Sequence, residues 1–345
     1  MKVLFVGLGG VGQRHLRLLK EMHPNAEIAA VRTRGRVFEI GDDLKINENI
    51  NLEEKYNISC FHSIQEAASF EPVFSIVANP TSLHIQTAQE LVNQNIPVLM
   101  EKPISDTNDG LDVLIQTAKL KSIPVMVGYM MRFHPCAIKL KEYLDENILG
   151  RIYTIIVNVN SYMPAWHQYE GYNEFYAGRK DYGGGVVLTE IHEIDLLNSL
   201  FGMPKKLAAC GGNRSGLDFD IEDTVSILLE FEKNNQSFSA TMNMCFVQKT
   251  PLRELRVMGE NGSIYWDIIE NTINLYDYAH GNFQKDSFDS FERNDMFKDQ
   301  LIHFIECVET GKEPMTNIAN TRGSHIIGMA VKKAMNLDRF ISFEN

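Results

Sequence analysis

The sequence predicts two domains: an α/β domain with a doubly wound parallel sheet, followed by an α+β domain with an open, mostly antiparallel sheet. Three observations support this prediction. The chain opens with an apolar strand, a glycine-rich turn and a helix; strands and helices then alternate to about residue 129; and strands dominate past about residue 150. Alternating elements are typical of a parallel sheet with crossover helices, whereas closely spaced strands favour antiparallel pairing.

The first strand and turn predict a dinucleotide site. Residues 2–6 run directly into Gly7-Leu8-Gly9-Gly10-Val11-Gly12, a G-x-G-x-x-G motif that opens a helix. Gly7 permits a tight turn, Gly9 lets the main chain approach a pyrophosphate, and Gly12 lets helix and strand pack closely. The helix N-terminus offers free N–H groups to the anion. A turn that binds nothing is the alternative, but it does not need all three glycines.

The rest of the first half completes a Rossmann domain. Four more apolar runs predict buried strands, and two segments with helical periodicity lie between them. The strands cover residues 27–31, 73–78, 97–100 and 124–129, and the helices cover 82–93 and 108–120. Residues 35–58 are less regular, and Gly41-Asp42-Asp43 favours a small hairpin there. We place the NAD(P)-binding domain at residues 1–124.

The second half predicts the α+β domain, at residues 125–345. Strand-like segments cover residues 151–161, 207–211, 224–231, 237–245, 252–258, 263–266 and 272–276, with turn signals such as Lys233-Asn234-Asn235 between them. Helices are predicted at 187–200, 295–310 and 322–337. We expect this domain to bind the substrate and to form a homodimer or homotetramer through its open sheet face. Its last helix can pack back on the first domain.

Composition excludes several classes of protein. The 345 residues carry a formal net charge of −12, which argues against nucleic acid and anionic membranes as partners. No apolar run reaches the roughly 18 residues that span a bilayer, and the N-terminus lacks a signal-peptide pattern. The five cysteines are scattered without a C-x-x-C pair, which is typical of reduced core residues. We therefore expect a cytoplasmic protein with no metal site.

The end of the second strand indicates which dinucleotide is preferred. An NAD-specific site usually has an acidic residue there, but Val31 is followed by Arg32-Thr33-Arg34-Gly35-Arg36. Thr33 can donate a hydrogen bond to a 2′-phosphate, and Arg34 can pair with it through two parallel bonds. We expect NADP(H) to be the preferred cofactor, with NAD(H) possible. A solvated basic turn is the alternative.

Several segments together resemble the glucose–fructose oxidoreductase/inositol dehydrogenase (Gfo/Idh/MocA) family. They are the glycine motif, Val77-Ala78-Asn79-Pro80-Thr81-Ser82-Leu83-His84, Val98-Leu99-Met100-Glu101-Lys102-Pro103, Gly128-Tyr129-Met130-Met131-Arg132-Phe133, Gly183-Gly184-Gly185 before His192-Glu193-Ile194-Asp195, and His303-Phe304-Ile305 with Gly311-Lys312-Glu313-Pro314. The resemblance covers nearly the whole chain. It implies a Rossmann domain with an open-faced sheet domain, and dimers or tetramers. It also implies oxidation or reduction of carbinol carbons in sugars, polyols and nucleotide-linked sugars.

The resemblance gives Lys102, in the E-K-P segment, the catalytic role in proton transfer. Cofactor and substrate meet at strand ends beside the topological switch point, and an ammonium buried there loses hydration, so its pKa falls. His192, on the helix after the three glycines, assists because an imidazole can relay a proton. The alternatives are a surface lysine and a satisfied core histidine.

The sequence departs from the family pattern beside His192. The family commonly has an aspartate one turn earlier, whereas this chain has Thr189, whose hydroxyl cannot act as a base at neutral pH. On a continuous helix Glu190 would point about 160° away from His192, so we do not expect it to replace the aspartate directly. Asp195, three residues after His192, either orients the imidazole or is a structural partner for a backbone amide.

Further candidates line the predicted cofactor and substrate sites. By resemblance, Asn79, Pro80, His84 and Glu101 contact the cofactor, although His84 could be an ordinary first-turn helix residue. The substrate candidates are Tyr129, Arg132, Trp166, Arg179, Thr189 and Asp195. Trp166 and Arg179 lie in an aromatic-rich segment, residues 161–183, whose rings can stack on a sugar and whose cations can meet a carboxylate or phosphate. Packing within the domain is the alternative for that segment.

The sequence therefore predicts an NAD(P)-dependent oxidoreductase of carbohydrate metabolism. It would transfer a hydride to or from a secondary carbinol or ketone of a sugar, polyol or nucleotide-linked sugar. Two alternatives stay open: an NAD-dependent glycosidase of the same family, which cleaves by oxidation, elimination and re-reduction, and a non-catalytic NADP(H)-sensing protein. The presence of Lys102 and His192 argues against a sensor, which needs neither.

Overall fold

The computed structural model describes residues 1–32, 37–41, 44–166, 170–278, 280–337 and 339–343. The first domain contains β1 (Lys2–Val6), α1 (Gly10–Met22), β2 (Glu27–Val31), β3 (Phe38–Ile40), β4 (Ile46–Asn51), α2 (Leu52–Tyr56), β5 (Ser59–Phe61), α3 (Ile64–Ala67), β6 (Phe74–Val77), α4 (His84–Asn93), β7 (Val98–Met100), α5 (Leu111–Lys121) and β8 (Val125–Val127). The rest contains α6 (Pro135–Asp145), β9 (Ile152–Tyr162), α7 (Val186–Thr189), α8 (His192–Phe201), β10 (Lys206–Gly212), β11 (Thr224–Lys233), β12 (Gln236–Cys245), β13 (Val247–Gly259), β14 (Gly262–Asp267), β15 (Thr272–Asp277), β16 (Asn282–Ser287), α9 (Arg293–Thr310), α10 (Ile318–Ala334) and β17 (Ile341–Ser342).

The first sheet is doubly wound, as predicted. Its six described strands are parallel, in the order β5-β2-β1-β6-β7-β8. The central strands β1 and β6 are apolar and almost fully buried, as expected for strands covered on both faces. Strand order reverses between β1 and β6, which opens a crevice at their carboxyl ends. The glycine turn and the E-K-P segment both lie at that edge of the sheet.

The first sheet extends past the predicted boundary at residue 124. Strand β8 pairs in parallel with β7 and is fully buried, so it belongs to the first domain and not to the second. The apolar run 124–129 predicts this strand, but the predicted boundary separates it from the sheet to which it belongs. The irregular segment 35–58 does contain a hairpin, β3–β4, and the Ile40 N–H donates to the Gln13 side chain of α1 at 2.7 Å.

The second sheet is open and mostly antiparallel, as predicted. Its nine described strands follow the order β16-β15-β14-β13-β9-β12-β11-β10-β17, and β9–β12 is the parallel pair among them. Asn234 and Asn235 both have positive φ at the tip of the β11–β12 hairpin, which fits a type I′ turn. Alternate residues of β11 and β12 are buried beneath α8 and α10, and the opposite face is exposed. Association of copies through that face stays a prediction.

Two late helices pack back on the first domain. Phe304 of α9 meets Phe74 of β6 edge-on, with the ring centroids 5.5 Å apart. The Thr316 hydroxyl, just before α10, donates to the carbonyl oxygen of Val127 at 2.6 Å. These contacts hold the second domain beside the crevice of the first. Within the part of the chain that the structure describes, no helix has the length and apolar character needed to cross a membrane.

Candidate active site

The glycine turn between β1 and α1 fits the approach of a dinucleotide phosphate. Gly7 has a φ of +97°, and a Cβ there would lie 2.6 Å from the main chain of Ala78. A Cβ on Gly12 would lie 2.4 Å from the Gly7 carbonyl oxygen. A Cβ on Gly9, in contrast, would meet no described atom within 4 Å. The fold requires Gly7 and Gly12, whereas Gly9 leaves open space beside an α1 N-terminus that no described side chain caps.

The loop after β6 is braced by His84. Its ring nitrogens lie 2.7 Å from the carbonyl oxygen of Pro103 and 2.9 Å from that of Asn79. Because the ring is buried and both of its nitrogens face main-chain oxygens, the structure argues against the predicted direct contact of His84 with the cofactor. Pro80 starts the turn into α4. Asn79 donates to Thr87 at 2.8 Å, but its side-chain oxygen is buried without a described partner and can accept a hydrogen bond from a ligand.

Glu101 ties the end of β7 to the glycine helix. The buried His15 of α1 donates through Nε2 to the Glu101 carboxylate at 2.7 Å. Burial opposes ionisation of this acid, but the hydrogen bond from His15 lowers the pKa of Glu101 overall. Glu101 is therefore an anion engaged within the protein, and it fixes the segment that carries Lys102 relative to the glycine turn.

Lys102 reaches across the crevice to the second domain. Its ammonium donates to the main-chain oxygen of Thr189, the last residue of α7, at 2.5 Å. Gly183 permits the close approach of the two domains, because a Cβ there would lie 2.8 Å from the Cβ of Asp106. The fold thus brings together the E-K-P and triple-glycine segments, which lie about 80 residues apart in the sequence.

The surroundings of Lys102 favour proton exchange. Burial is the largest influence and lowers the pKa of its ammonium below the usual 10.5. The charges of Glu190 and Glu101 oppose this shift, whereas those of Arg253 and Arg293 reinforce it. A lysine with a lowered pKa can populate both protonation states closer to neutral pH, as acid–base catalysis requires.

His192 is a neutral ring in this site. It is 3% exposed, and burial together with the charges of Lys102, Arg253 and Arg293 lowers its pKa well below the usual 6.5. Tyr129 packs edge-on against it, with the ring centroids 6.2 Å apart. The His192 Nδ1 and the Tyr129 hydroxyl are both buried without partners among the described residues. The structure therefore favours a neutral hydrogen-bonding ring over the predicted relay that titrates near neutrality.

Glu190 lies on the active-site side, contrary to the helical projection. The predicted helix 187–200 is broken into α7 and α8, and Glu190 sits at the break with φ −99° and ψ 34°. Its carboxylate lies 3.6 Å from Nη2 of Arg253, and its charge acts on Lys102. The angle of about 160° holds only for a continuous helix.

Arg132 and Asp195, both predicted to bind substrate, are engaged in the fold. The Arg132 guanidinium donates two hydrogen bonds of 2.7 Å to the Asp195 carboxylate, and the Ser324 hydroxyl donates a third of 2.7 Å. The carboxylate is 1% exposed. The group joins the segment after β8 to α8 and α10, so Asp195 takes the structural alternative and does not orient the His192 ring.

Removing one member of this buried pair is expected to destabilise the protein strongly. Asp195→Ala leaves the Arg132 guanidinium in the interior without its carboxylate, which costs about 3–5 kcal/mol. Urea unfolding measures the difference from the wild type. Replacing both residues, Arg132→Met with Asp195→Leu, removes the orphaned charge and should recover most of the loss. A loss below about 1 kcal/mol, typical of an exposed pair, would contradict this role.

Trp166 and Arg179 are held by local contacts. Trp166 packs edge-on against Phe246, with the ring centroids 5.2 Å apart. Arg179 forms a bidentate pair with Asp181, at 2.9 and 2.5 Å, and its guanidinium lies 4.2 Å from the Tyr182 ring centroid. These contacts favour the packing alternative and argue against a free substrate-binding cation at Arg179.

Two arginines of the site were not predicted, and a third residue, Tyr176, belongs to the predicted aromatic-rich segment, residues 161–183. Arg253 of β13 donates two hydrogen bonds, of 2.6 and 2.9 Å, to the Glu193 carboxylate. Arg293, the first residue of α9, is exposed and has no ion pair with another described residue, yet its charge acts on Lys102, so it borders the crevice. Burial raises the pKa of Tyr176, as do nearby carboxylates of the site. These residues lie on elements that are far apart in the sequence, and no sequence motif predicts that they meet at one site.

Comparisons with known protein families agree with this architecture. A family model described as "Oxidoreductase family, NAD-binding Rossmann fold" matches residues 1–129. A second model, described as "GFO/IDH/MocA C-terminal domain", matches residues 137–265. The two matches fall on the two structural domains and together cover most of the chain.

Individual relatives are distant. Oxidoreductase P35 of Formosa agariphila is 27% identical over 58% of this chain, and the match spans only 60% of that protein. The myo-inositol 2-dehydrogenase of Thermotoga maritima is 22% identical over 100% of this chain and 99% of its own length.

Solved structures share the whole fold. The myo-inositol 2-dehydrogenase from Lactobacillus plantarum superposes with a TM-score of 0.80 at 19% identity, covering 100% of this chain and 99% of the other. The WlbA dehydrogenase from Bordetella pertussis, solved with NADH and UDP-GlcNAcA, superposes with a TM-score of 0.79 at 17% identity and the same coverage. With both domains matched by family models, this chain belongs to the Gfo/Idh/MocA family of oxidoreductases, which carry an NAD-binding Rossmann domain.

Proposed function

We propose that this protein is an NAD(P)-dependent dehydrogenase that transfers a hydride to or from a secondary carbinol or ketone carbon of a sugar, polyol or nucleotide-linked sugar. The contact between Lys102 and the Thr189 carbonyl oxygen supports the proposal most directly. It brings a lysine of lowered pKa into the crevice between the domains, at the strand edge that also carries the glycine turn.

Each step of this chemistry has a residue suited to it. A bound nicotinamide supplies or accepts the hydride. Lys102 exchanges a proton with the carbinol oxygen, because its lowered pKa makes both protonation states accessible. His192 is neutral and buried, so it holds the same oxygen by a hydrogen bond and helps to exclude water.

The cofactor is held by the first domain in this proposal. The main-chain N–H groups of Gly9, Gly10 and Val11, at the start of α1, bind the pyrophosphate. The unpaired side-chain oxygen of Asn79 accepts a hydrogen bond from the ribose or the carboxamide. These assignments fit the open space beside Gly9.

We also propose that NADP(H) binds more tightly than NAD(H). The residues responsible, Thr33 and Arg34, lie outside the described residues, and Arg32 just before them pairs with Glu53 of α2. Fluorescence titration with NADPH and NADH measures both Kd values, and we expect NADPH to bind at least about 10-fold more tightly. NADH that binds as tightly as NADPH would overturn the preference.

The substrate class rests on the crevice and on the relatives. Arg293 places an exposed guanidinium within electrostatic range of Lys102, and a guanidinium without an ion pair to a described residue suits a carboxylate or a diphosphate. One structural neighbour was solved with UDP-GlcNAcA, and one sequence relative is a myo-inositol 2-dehydrogenase. Nucleotide-linked sugars and inositols therefore both belong in the first substrate panel.

The direct test is a turnover screen. Purified protein is incubated with NADP⁺ or NAD⁺ and a panel of inositols, aldoses and nucleotide-linked sugars, and reduced nicotinamide is followed by its absorbance. We expect turnover of at least one compound. Release of free sugar from a glycoside without net change in absorbance would favour the glycosidase. Tight dinucleotide binding with no turnover or cleavage across the panel would overturn the proposal and favour a sensor.

A further inference from the structure

The site lacks a carboxylate at Thr189. The threonine's main-chain oxygen accepts the hydrogen bond from Lys102, so the backbone supplies this contact. Its hydroxyl is buried and has no hydrogen-bond partner in the described part of the chain. The side chain at this position therefore adds no charge to the surroundings of Lys102.

The neighbouring Glu190 does reach the site. The break between α7 and α8 rotates it out of the helical series, and its side chain is 12% exposed. Its carboxylate is 3.6 Å from Nη2 of Arg253, which is longer than a hydrogen bond. Arg253 directs its short bonds, of 2.6 and 2.9 Å, to Glu193 instead. Glu190 therefore forms an ion pair with Arg253 but no hydrogen bond to it, and its charge also acts on Lys102.

The other charged groups near Lys102 have settled roles. Glu101 accepts the hydrogen bond from His15, and the neutral His192 adds no positive charge. The groups that act on Lys102 from the packed elements are Glu190 at the α7–α8 break, Glu101 at the end of β7, Arg253 of β13 and Arg293 of α9. Glu190 is the strongest of these charges, and unlike Glu101 its carboxylate forms no hydrogen bond with another described side chain.

We propose that Glu190 is the carboxylate partner of Lys102, supplying from the next residue the negative charge that Thr189 lacks. The catalytic role of this pair rests on the proposed function, in which Lys102 exchanges the proton. Glu190 is a positioning residue here, since it acts through Lys102 and not on the substrate. Its charge stabilises the ammonium, so the Lys102 amine becomes neutral at a higher pH than burial and the two arginines alone would allow.

The test measures the titration of Lys102 in the enzyme without substrate. Limiting acetic anhydride labels neutral amines, and mass spectrometry gives the rate at Lys102 relative to exposed lysines over a range of pH. Glu190→Gln keeps the size of the side chain and removes the charge. We expect the midpoint of Lys102 labelling to move to lower pH, by about one pH unit or more.

Glu222→Gln is the matched control. Glu222 has a similarly buried side chain, 9% exposed, near α7, but it lies against Lys332 and is not among the charges that act most strongly on Lys102. Its substitution should leave the midpoint unchanged. If Glu190→Gln does not fold, Glu190→Met makes the same test with an uncharged side chain of similar length. An unchanged midpoint in the folded Glu190 variant, or an equal change in the control, overturns the inference.

The same variants separate this inference from the proposed function. Where the screen finds a substrate, the pH profile of kcat/KM for oxidation should move to lower pH in Glu190→Gln, in parallel with the labelling midpoint. A midpoint that moves in a protein without turnover would support the Glu190–Lys102 pair and reject the dehydrogenase. Turnover together with an unchanged labelling midpoint would support the dehydrogenase and reject the Glu190–Lys102 pair.

Discussion

Lys102→Met is expected to lower kcat by about 100-fold or more, while the Kd for the dinucleotide changes little. Methionine retains the apolar stem of the lysine and removes only the amine that exchanges a proton with the substrate oxygen. Steady-state kinetics with the substrate found by the screen gives kcat, and fluorescence titration gives the Kd. Lys119→Met, at an exposed position of α5, is the control and should behave as the wild type.

The pH dependence adds an independent readout of Lys102. Oxidation needs the neutral amine, so kcat/KM should rise as the pH rises through the Lys102 pKa; reduction needs the ammonium and should fall over the same range. Because burial lowers this pKa, both changes should occur below pH 10.5. This pH-dependent change in kcat/KM should be absent in Lys102→Met. Near-normal turnover in that variant would remove Lys102 from the mechanism.

The sequence predicted the parts of the site that depend on local pattern. The glycine turn and the E-K-P segment each follow a buried strand, and parallel strands end at one edge of a sheet, so their proximity follows from topology. Thr189 was recognised as lacking the family's carboxylate, and the structure explains its position: its main chain, not its side chain, meets Lys102.

The rest depends on tertiary contacts. Projection on a continuous helix puts Glu190 on the wrong side, because the sequence keeps its helical periodicity through residues at which the main chain breaks. Arg132 and Asp195 lie 63 positions apart, and polar residues near a predicted site give no sign that they will neutralise each other. Arg253 lies within β13, where the sequence identifies a strand but not what this side chain faces.

Gly7 and Gly9 make a matched pair in which the same substitution should affect different properties: mainly stability at Gly7 and mainly dinucleotide binding at Gly9. In Gly7→Ala the new Cβ would lie 2.6 Å from the main chain of Ala78, at a φ of +97° that side chains rarely adopt. The backbone must move, and we expect a loss of about 2–4 kcal/mol in the free energy of unfolding. In Gly9→Ala the Cβ meets no described atom within 4 Å, so we expect a loss below about 1 kcal/mol.

Dinucleotide binding should be weakened by the substitution at Gly9, the one that costs little stability. The space beside Gly9 is where the pyrophosphate must approach the main chain, so Gly9→Ala should raise the Kd for the dinucleotide by about 10-fold or more, equivalent to about 1.4 kcal/mol. Urea unfolding without cofactor and fluorescence titration of the folded protein measure the two effects separately. A Gly9→Ala protein that binds NADPH and NADH like the wild type would show that the dinucleotide does not cross this turn. The positions of Lys102 and His192 relative to a nicotinamide would then lose their basis.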